Sequence, residues 1–468
     1  LIPAILFAVA RKKKAVISTH TINLQEQLVE KDLPVLKQVL PVDFSFAMLK
    51  GRSNYLCTRR LRKALLQCDS LFTSPEAAEL RRIEEWSRTT QDGSLSDFSV
   101  EPDPKVWEHV CSERGLCTPK KCGFQSDQAK LGPVCFFQRA RQKILGADVL
   151  VLNHTLFFTL LNGVEADPEG GVLFKNDFVI FDEAHTVESV AARHIGVSVS
   201  SGQVRYALQR LWNPRTEKGL LSTLRSAANV RLVADVLKET DDFFVRVEDS
   251  CQELARSAAP AALERVASSE PPSRVWKELR IRRPDLVQDS LTLPLQRLRE
   301  QIHELIQTSE DKETGEELME CNRRLADLKV AVSTFLSQTA EDHVYWVERS
   351  GKTQKNLSLN AAPVEVADFL RQRLFESGTS VILTSATLGT AGPSGSVTPA
   401  PIPTQRSAAS VMASSGTVFQ RAGAIPALRY VAGRVGGEEA QGLQVGSPFD
   451  YPRQMTLFVA GKMPDPRD

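Results

Sequence analysis

Residues Phe178 to His185 read Phe-Val-Ile-Phe-Asp-Glu-Ala-His, a short apolar run that stops abruptly at two adjacent acids. An unbroken apolar run of this length suits a strand covered on both faces, as in parallel sheets flanked by helices. Such a strand carries its terminal side chains to the carboxyl edge of the sheet, where open α/β folds place their ligands. Ala15–Thr19, Val149–Leu152 and Val381–Thr384 repeat the signal, so the predicted fold class is α/β with a parallel sheet. The length of 468 residues allows roughly three domains at about 150 residues each. With 58 basic against 57 acidic side chains, 42% apolar and 25% charged residues, the composition excludes global disorder, a collagen-like fibre and a histone-like blanket of positive charge. The apolar run Leu1–Ala10 is about half of a bilayer span and ends in the basic cluster Arg11–Lys14, so no membrane anchor is expected. No internal repeat is found.

The acids define the first candidate site. In nucleotide hydrolases one carboxylate helps to hold Mg²⁺ against the nucleotide phosphates and a second polarises the attacking water. Asp182 and Glu183 suit those roles, and His185 is placed to report the state of the terminal phosphate. The competing reading is a helix N-terminus decorated with acids that complement its dipole. Such a site needs a phosphate-cradling loop, and Gly351-Lys352-Thr353 does not supply one, because Trp346 stands where the first glycine must be. That tripeptide reads instead as the turn of a β-hairpin between Val344–Val347 and Leu357–Leu359.

Six of the eight cysteines fall within residues 57–143, four of them between Cys111 and Cys135. Clustering at this density suggests a metal site in a reducing compartment rather than a disulfide scaffold. Four thiolates suit an iron–sulfur cluster or tetrahedral zinc. Zinc sites more often pair cysteines two residues apart, a spacing missing here. Cys251 and Cys321 lie on apolar helical stripes and read as core residues, as does Cys68. The window Lys50–Lys63 holds Lys50, Arg52, Arg59, Arg60, Arg62 and Lys63 without one acid, with Tyr55 as a ring for base stacking. It reads as a nucleic-acid contact, against the alternative of a solvated helix face.

Several segments resemble one family, the DinG-type DNA helicases related to XPD within superfamily 2. Val16–Leu28 resembles their motif Ia, Lys50–Cys57 the entry to their iron–sulfur domain, and Cys135–Arg141 with Ala147–His154 the return into the first motor. Asp182–His185 resembles motif II, and Thr384-Ser385-Ala386-Thr387-Leu388 resembles motif III. The resemblance implies a RecA-like motor domain of the P-loop NTPase type with an inserted Fe–S domain and an inserted, mainly helical arch. It implies Cys57, Cys117, Cys122 and Cys135 as ligands of a 4Fe–4S cluster, with the looped insertion Gly123–Val134 inside the site and Cys111 as a competitor for the place of Cys117. It implies Ser385, Ala386 and Thr387 as the coupling motif, and His20 and Thr21 as DNA contacts beside Lys50, Arg52, Tyr55 and Arg59; Gln25 and Asn153-His154 are weaker candidates.

The resulting map assigns 1–56, 144–199 and 376–390 to the first motor, 57–143 to the Fe–S domain, 200–375 to the arch, 391–425 to a low-complexity insertion and 426–468 to the start of a second motor. The implied activity is ATP-dependent, 5′ to 3′ unwinding with Mg²⁺ and ATP on single-stranded, forked or duplex DNA, by a cytoplasmic monomer. Leu1–Ile5 resembles the helix after a phosphate loop and Gly446–Tyr451 the approach to the second motor, so the expectation is a fragment that hydrolyses no ATP alone. The alternative is a non-catalytic, metal-containing nucleic-acid-binding protein derived from a helicase.

Overall fold

In the computed structural model the described residues are 1–166, 173, 177–224, 226–258, 276–309, 311–351, 354–389, 420–443 and 451–456. Most of the low-complexity segment, Lys352 and Thr353, and residues 444–450 lie outside them.

Nine strands organise the parts that matter here. They are β1 (Lys14–Thr19), β2 (Phe46–Met48), β3 (Val149–Asn153), β4 (Asp177–Asp182), β5 (Val197–Ser200), β6 (Glu278–Ile281), β7 (His343–Ser350), β8 (Asn356–Pro363) and β9 (Val381–Thr384). The first sheet runs β2-β3-β1-β4-β9, and every pairing in it is parallel. Its central strands β1, β3 and β4 are mainly apolar and buried, as expected where both faces are covered, while β9 at the edge keeps Ile382 exposed. With the two-residue period of a strand, Ile17, Val149, Val151 and Phe178 point to one face and meet Ile5 and Ala8 of the helix Ile2–Arg11. Val16, Leu150, Leu152, Val179 and Phe181 point to the other and join Phe157 and Phe158. The expected parallel α/β sheet is therefore present.

The helical segment that follows β1 is divided. A helix at Ile22–Gln27 passes through a wider π turn at Leu28–Asp32 into Leu33–Val39. Pro34 supplies the reason: its ring clashes with the carbonyl four residues back and it has no N–H to offer. The wider turn lets Leu33 N–H reach Leu28 O instead.

Residues 52–145 leave the sheet after β2 and return to it at β3 as short helices, held to one another by isolated bridges Tyr55–Ser94 and Leu56–Cys111. Beyond β4 the chain becomes helical as expected, with long helices at Ala227–Ala258, Thr292–Thr308 and Lys312–Ser337. Leu291, Leu295, Leu298 and Ile302 face Leu318, Cys321, Leu325, Val332 and Phe335 in the core. Asp311 begins the helix Lys312–Ser337 by accepting the N–H groups of Glu313 and Thr314. The region is not helical alone: β5-β8-β7-β6 forms an antiparallel sheet. Trp346 lies within β7, and β7 and β8 pair across the turn at Gly351, whose φ of 85° suits glycine. This is the hairpin expected in place of a phosphate loop.

Candidate functional site

The parallel sheet brings distant segments to one edge. β4 pairs with β9 so that Asp182 lies opposite Thr384, which sets Asp182-Glu183 beside Ser385 although 200 residues separate them. Ser385 Oγ is 3.0 Å from His185 Nδ1 and 3.4 Å from Glu183 Oε2, and it accepts the N–H of Thr387 at 3.2 Å. Of the expected coupling residues, Ser385 and Thr387 thus join the acids directly, and Ala386 lies between them in the chain. Glu183 adopts φ 54° and ψ 43°, a left-handed conformation that costs energy in a residue with a side chain. The kink turns the Glu183 carboxylate to within 3.3 Å of His185 Nδ1. Burial, followed by repulsion from Glu183, pushes the Asp182 carboxyl above its ordinary range. A divalent cation would reverse that shift by stabilising the charged form.

The same edge carries His20 and Thr21 after β1, both exposed. Thr21 accepts Leu24 N–H and so starts the following helix. His154, after β3, is fully buried; its Nδ1 lies 2.7 Å from Ser18 Oγ, and its ring packs against His20 and Phe181. Burial, reinforced by His20, pulls its pKa down to about 4. Gln25, also buried, donates to the carbonyl of Leu49.

The second site is made of sulfur. Cys57, Cys117 and Cys122 bring their Sγ atoms within 4.8 Å of one another, and all are buried. Cys135 is buried beside them and hydrogen-bonded among their sulfurs, although it stands outside the trio that lies within 4.8 Å. The segment Gly123–Val134 loops out and back: Cys135 N–H donates to Cys122 O, while Gln128 donates to Thr58 Oγ1 and Pro133 O. None of the eight cysteines forms a disulfide. Hydrogen bonds among the sulfurs hold Cys117 well below the ordinary thiol value and push Cys57 well above it. Shared protons between crowded buried sulfurs are what a thiophilic metal or cluster displaces on binding, so the donor set fits such a group. Cys111 stands apart, its sulfur against Arg60 and the carbonyl of Glu108. Cys68 is half-buried outside the group, and Cys251 and Cys321 lie in the helical core.

The basic window Lys50–Lys63 requires a correction. Tyr55 is 3% exposed, with its ring against Phe137 and its hydroxyl accepting Lys50 N–H, so no face is open to a base. Lys50 is 2% exposed, and its ammonium meets Glu26 at 3.0 Å, Ser94 and Ser96. Arg52 donates to the carbonyls of Glu113 and Cys117 and lies over Phe137. Arg59 pairs with Glu313 and Glu316, and Lys63 with Glu317. Arg60 is buried against Glu113 at 2.9 Å. These cations fasten the cysteine-bearing loops and dock them on the helix Lys312–Ser337.

Local sequence reading missed the centre of that network, Glu113. Its carboxylate receives Arg60, Arg210 at 2.8 Å and Arg324 at 2.6 Å, and its N–H donates to Cys117 Sγ at 3.4 Å. For Arg210, burial alone would lower the pKa, but Cys321, then Glu113 and Glu317, raise it well above its ordinary value. Only the pairing of partners far apart in sequence shows this residue; nothing near Glu113 in the chain signals it.

Comparison with known proteins follows the same lines. No family profile matches the chain. It is 27% identical over 460 residues to the ATP-dependent DNA helicase YoaA of Escherichia coli, covering 98% of this chain and 60% of that protein. It is 25% identical over 416 residues to the 3′-5′ exonuclease DinG of Bacillus subtilis, covering 84% of this chain and 42% of that one. With the ATP-dependent helicase DinG of Mycobacterium tuberculosis it shares 32% identity over 241 residues, 47% of this chain and 34% of that protein. Among solved structures a truncated XPD aligns with a TM-score of 0.36 at 11% identity, covering 83% of this chain and 86% of that one. The chain spans about 60% of the length of the YoaA relatives it matches. These relatives bear out the resemblance to DinG-type helicases read from the motifs. Among the described residues no helix is long and apolar enough to cross a membrane.

Proposed function

We propose that the protein containing this chain is an ATP-dependent DNA helicase of 5′ to 3′ polarity, acting as a cytoplasmic monomer on single-stranded and forked or duplex DNA. The observation that carries this reading is the meeting of Asp182, Glu183 and His185 with Ser385 and Thr387 at one edge of a parallel sheet. Asp182 would hold Mg²⁺, Glu183 would position the attacking water, and the contact of His185 with Ser385 would relay the state of the nucleotide to the neighbouring strand. When bound, Mg²⁺ supplies charge neutralisation on the phosphates of ATP. Cys57, Cys117, Cys122 and Cys135 would hold a 4Fe–4S cluster, which would tie the short helices of this small module together through its four protein ligands. In this reading residues 57–143 would form the cluster domain, 200–375 the arch, and 1–56, 144–199 and 376–390 the motor.

DNA contact is assigned to His20 and Thr21, which are exposed at the carboxyl edge, rather than to Lys50, Arg52, Tyr55 and Arg59, which the cysteine module consumes. The test is strand displacement by the intact gene product on forked substrates with a 5′ or a 3′ tail. Unwinding confined to the 5′-tailed fork, and lost in Asp182→Asn with retained single-strand binding, is the expected result. Unwinding by Asp182→Asn at the unmutated rate would sink the reading, and binding without any unwinding by the unmutated protein would favour a non-catalytic, metal-containing nucleic-acid binder.

A further inference from the structure

His154 is placed unusually for a buried histidine. It follows β3 and touches the ends of the neighbouring strand β1 and of β4 beyond it: Nδ1 is 2.7 Å from Ser18 Oγ on β1, and the ring packs on Phe181 of β4 at 5.5 Å between centroids. The ring also lies against His20, with centroids 6.2 Å apart. Its second nitrogen, Nε2, is buried and has no hydrogen-bond partner of full geometry, although the backbone at Asp182 and Glu183 is near enough to interact with the ring. A buried ring nitrogen left unpaired is costly unless a nearby group satisfies it. A ring that accepts the Ser18 hydroxyl proton at Nδ1 carries its own proton on Nε2, and that N–H is suited to the carbonyls where the chain kinks at Glu183.

We propose that His154 is a positioning residue: it ties the ends of β1, β3 and β4 together and holds the Asp182-Glu183 backbone in register with the His20 loop. The proposal rests on the functional reading above. It gives the edge a physical connection by which a strand contacting His20 alters the placement of the Glu183 carboxylate. The imidazole does not touch the reacting atoms; it acts through the backbone that carries them.

Two measurements on the intact gene product test it. The first is spectroscopic: in protein with ¹⁵N-labelled histidine, the resonance missing from His154→Gln is expected to show a neutral ring protonated at Nε2. A proton on Nδ1, or an imidazolium at neutral pH, overturns the assignment. The second is kinetic. His154→Phe keeps an aromatic ring but neither nitrogen, and is expected to lower the single-strand-stimulated kcat for ATP by about tenfold or more with KM for ATP changed less than about twofold. His154→Gln, with a donor near the Nε2 position, is expected to recover most of that loss, and Ser18→Ala to give a smaller loss of about two- to fivefold.

Equal loss in His154→Phe and His154→Gln, or a rise in KM that accounts for the change, assigns the ring a packing role only and overturns the proposal. If His154→Phe does not fold, Ser18→Ala decides: unchanged stimulation counts against it. An unmutated protein without DNA-stimulated hydrolysis overturns the functional reading, and the coupling role with it, while the spectroscopic result stands or falls separately.

Discussion

The carboxylate edge and the cysteine module solve opposite problems with the same kinds of side chain. At the edge, Glu183 and His185 are each 42% exposed, hold one another loosely through Ser385, and leave Asp182 with no cation partner among the described residues. In the module, Glu113, Arg60 and Arg210 are 5% exposed or less, and each of the three meets an opposite charge. Charges that must meet a ligand are left open to it, even at the expense of a strained φ at Glu183. Charges that hold a scaffold are buried in pairs, because a lone buried ion is costly. The contrast also explains the basic residues beside Cys57, which serve the scaffold by pairing with acids and carbonyls around the cysteines.

The sharpest way to break this comparison is to remove one sulfur. Cys117→Ser is expected to abolish iron and acid-labile sulfide in anaerobically purified protein, whereas Cys111→Ser, outside the sulfur group, is expected to retain both. Equal loss in the two variants would place Cys111 among the ligands and contradict the geometry. Next in size is Glu113→Ala, which strands Arg60 and Arg210 in the interior. A loss of about 3–5 kcal/mol in urea denaturation is expected, and a loss under about 1 kcal/mol would show that the network is not a scaffold.

The smallest effect concerns acid. His109, packed on Phe72 and facing Arg60 and Arg210, has its pKa lowered from 6.5 to about 3, by burial first and the two arginines next. The folded form therefore binds fewer protons than the unfolded chain between these values. Its contribution is fully present above pH 6.5 and is lost as the pH falls toward 3. Because the ring keeps some exposure, a loss on the order of 1–2 kcal/mol by pH 4 is expected, and His109→Gln should reduce it. A thermal midpoint with the same acid dependence in the unmutated protein and His109→Gln would contradict this.

Much of the architecture was legible because it is local. Ala15–Thr19, Val149–Leu152 and Phe178–Phe181 are apolar runs whose burial follows from their composition, whereas Val381–Thr384, at the end of the sheet, leaves Ile382 48% exposed. The turn at Gly351 was readable from Trp346, and the core placement of Cys251 and Cys321 from the apolar helical stripes that carry them. Legibility ended where partners lie far apart. Counting charges in Lys50–Lys63 could not reveal Glu26, Glu113, Glu313, Glu316 and Glu317, which turn a basic stretch into an ion-paired interior. The four-residue strands β5 and β6 carry too few positions to show a period, and their pairing with β7 and β8 decides their structure. Spacing also left Cys111 and Cys117 equivalent; only the fold turns one sulfur toward Cys57 and the other toward Arg60.

The central claim, that the sheet edge bearing Asp182 and Glu183 hydrolyses ATP when a DNA strand is bound, is tested most directly by ATP turnover in the intact gene product with and without single-stranded DNA, for the unmutated protein and Glu183→Gln. The account predicts DNA-stimulated turnover that falls by about a hundredfold or more in Glu183→Gln while DNA affinity is kept. Stimulated turnover in Glu183→Gln equal to that of the unmutated protein would contradict it.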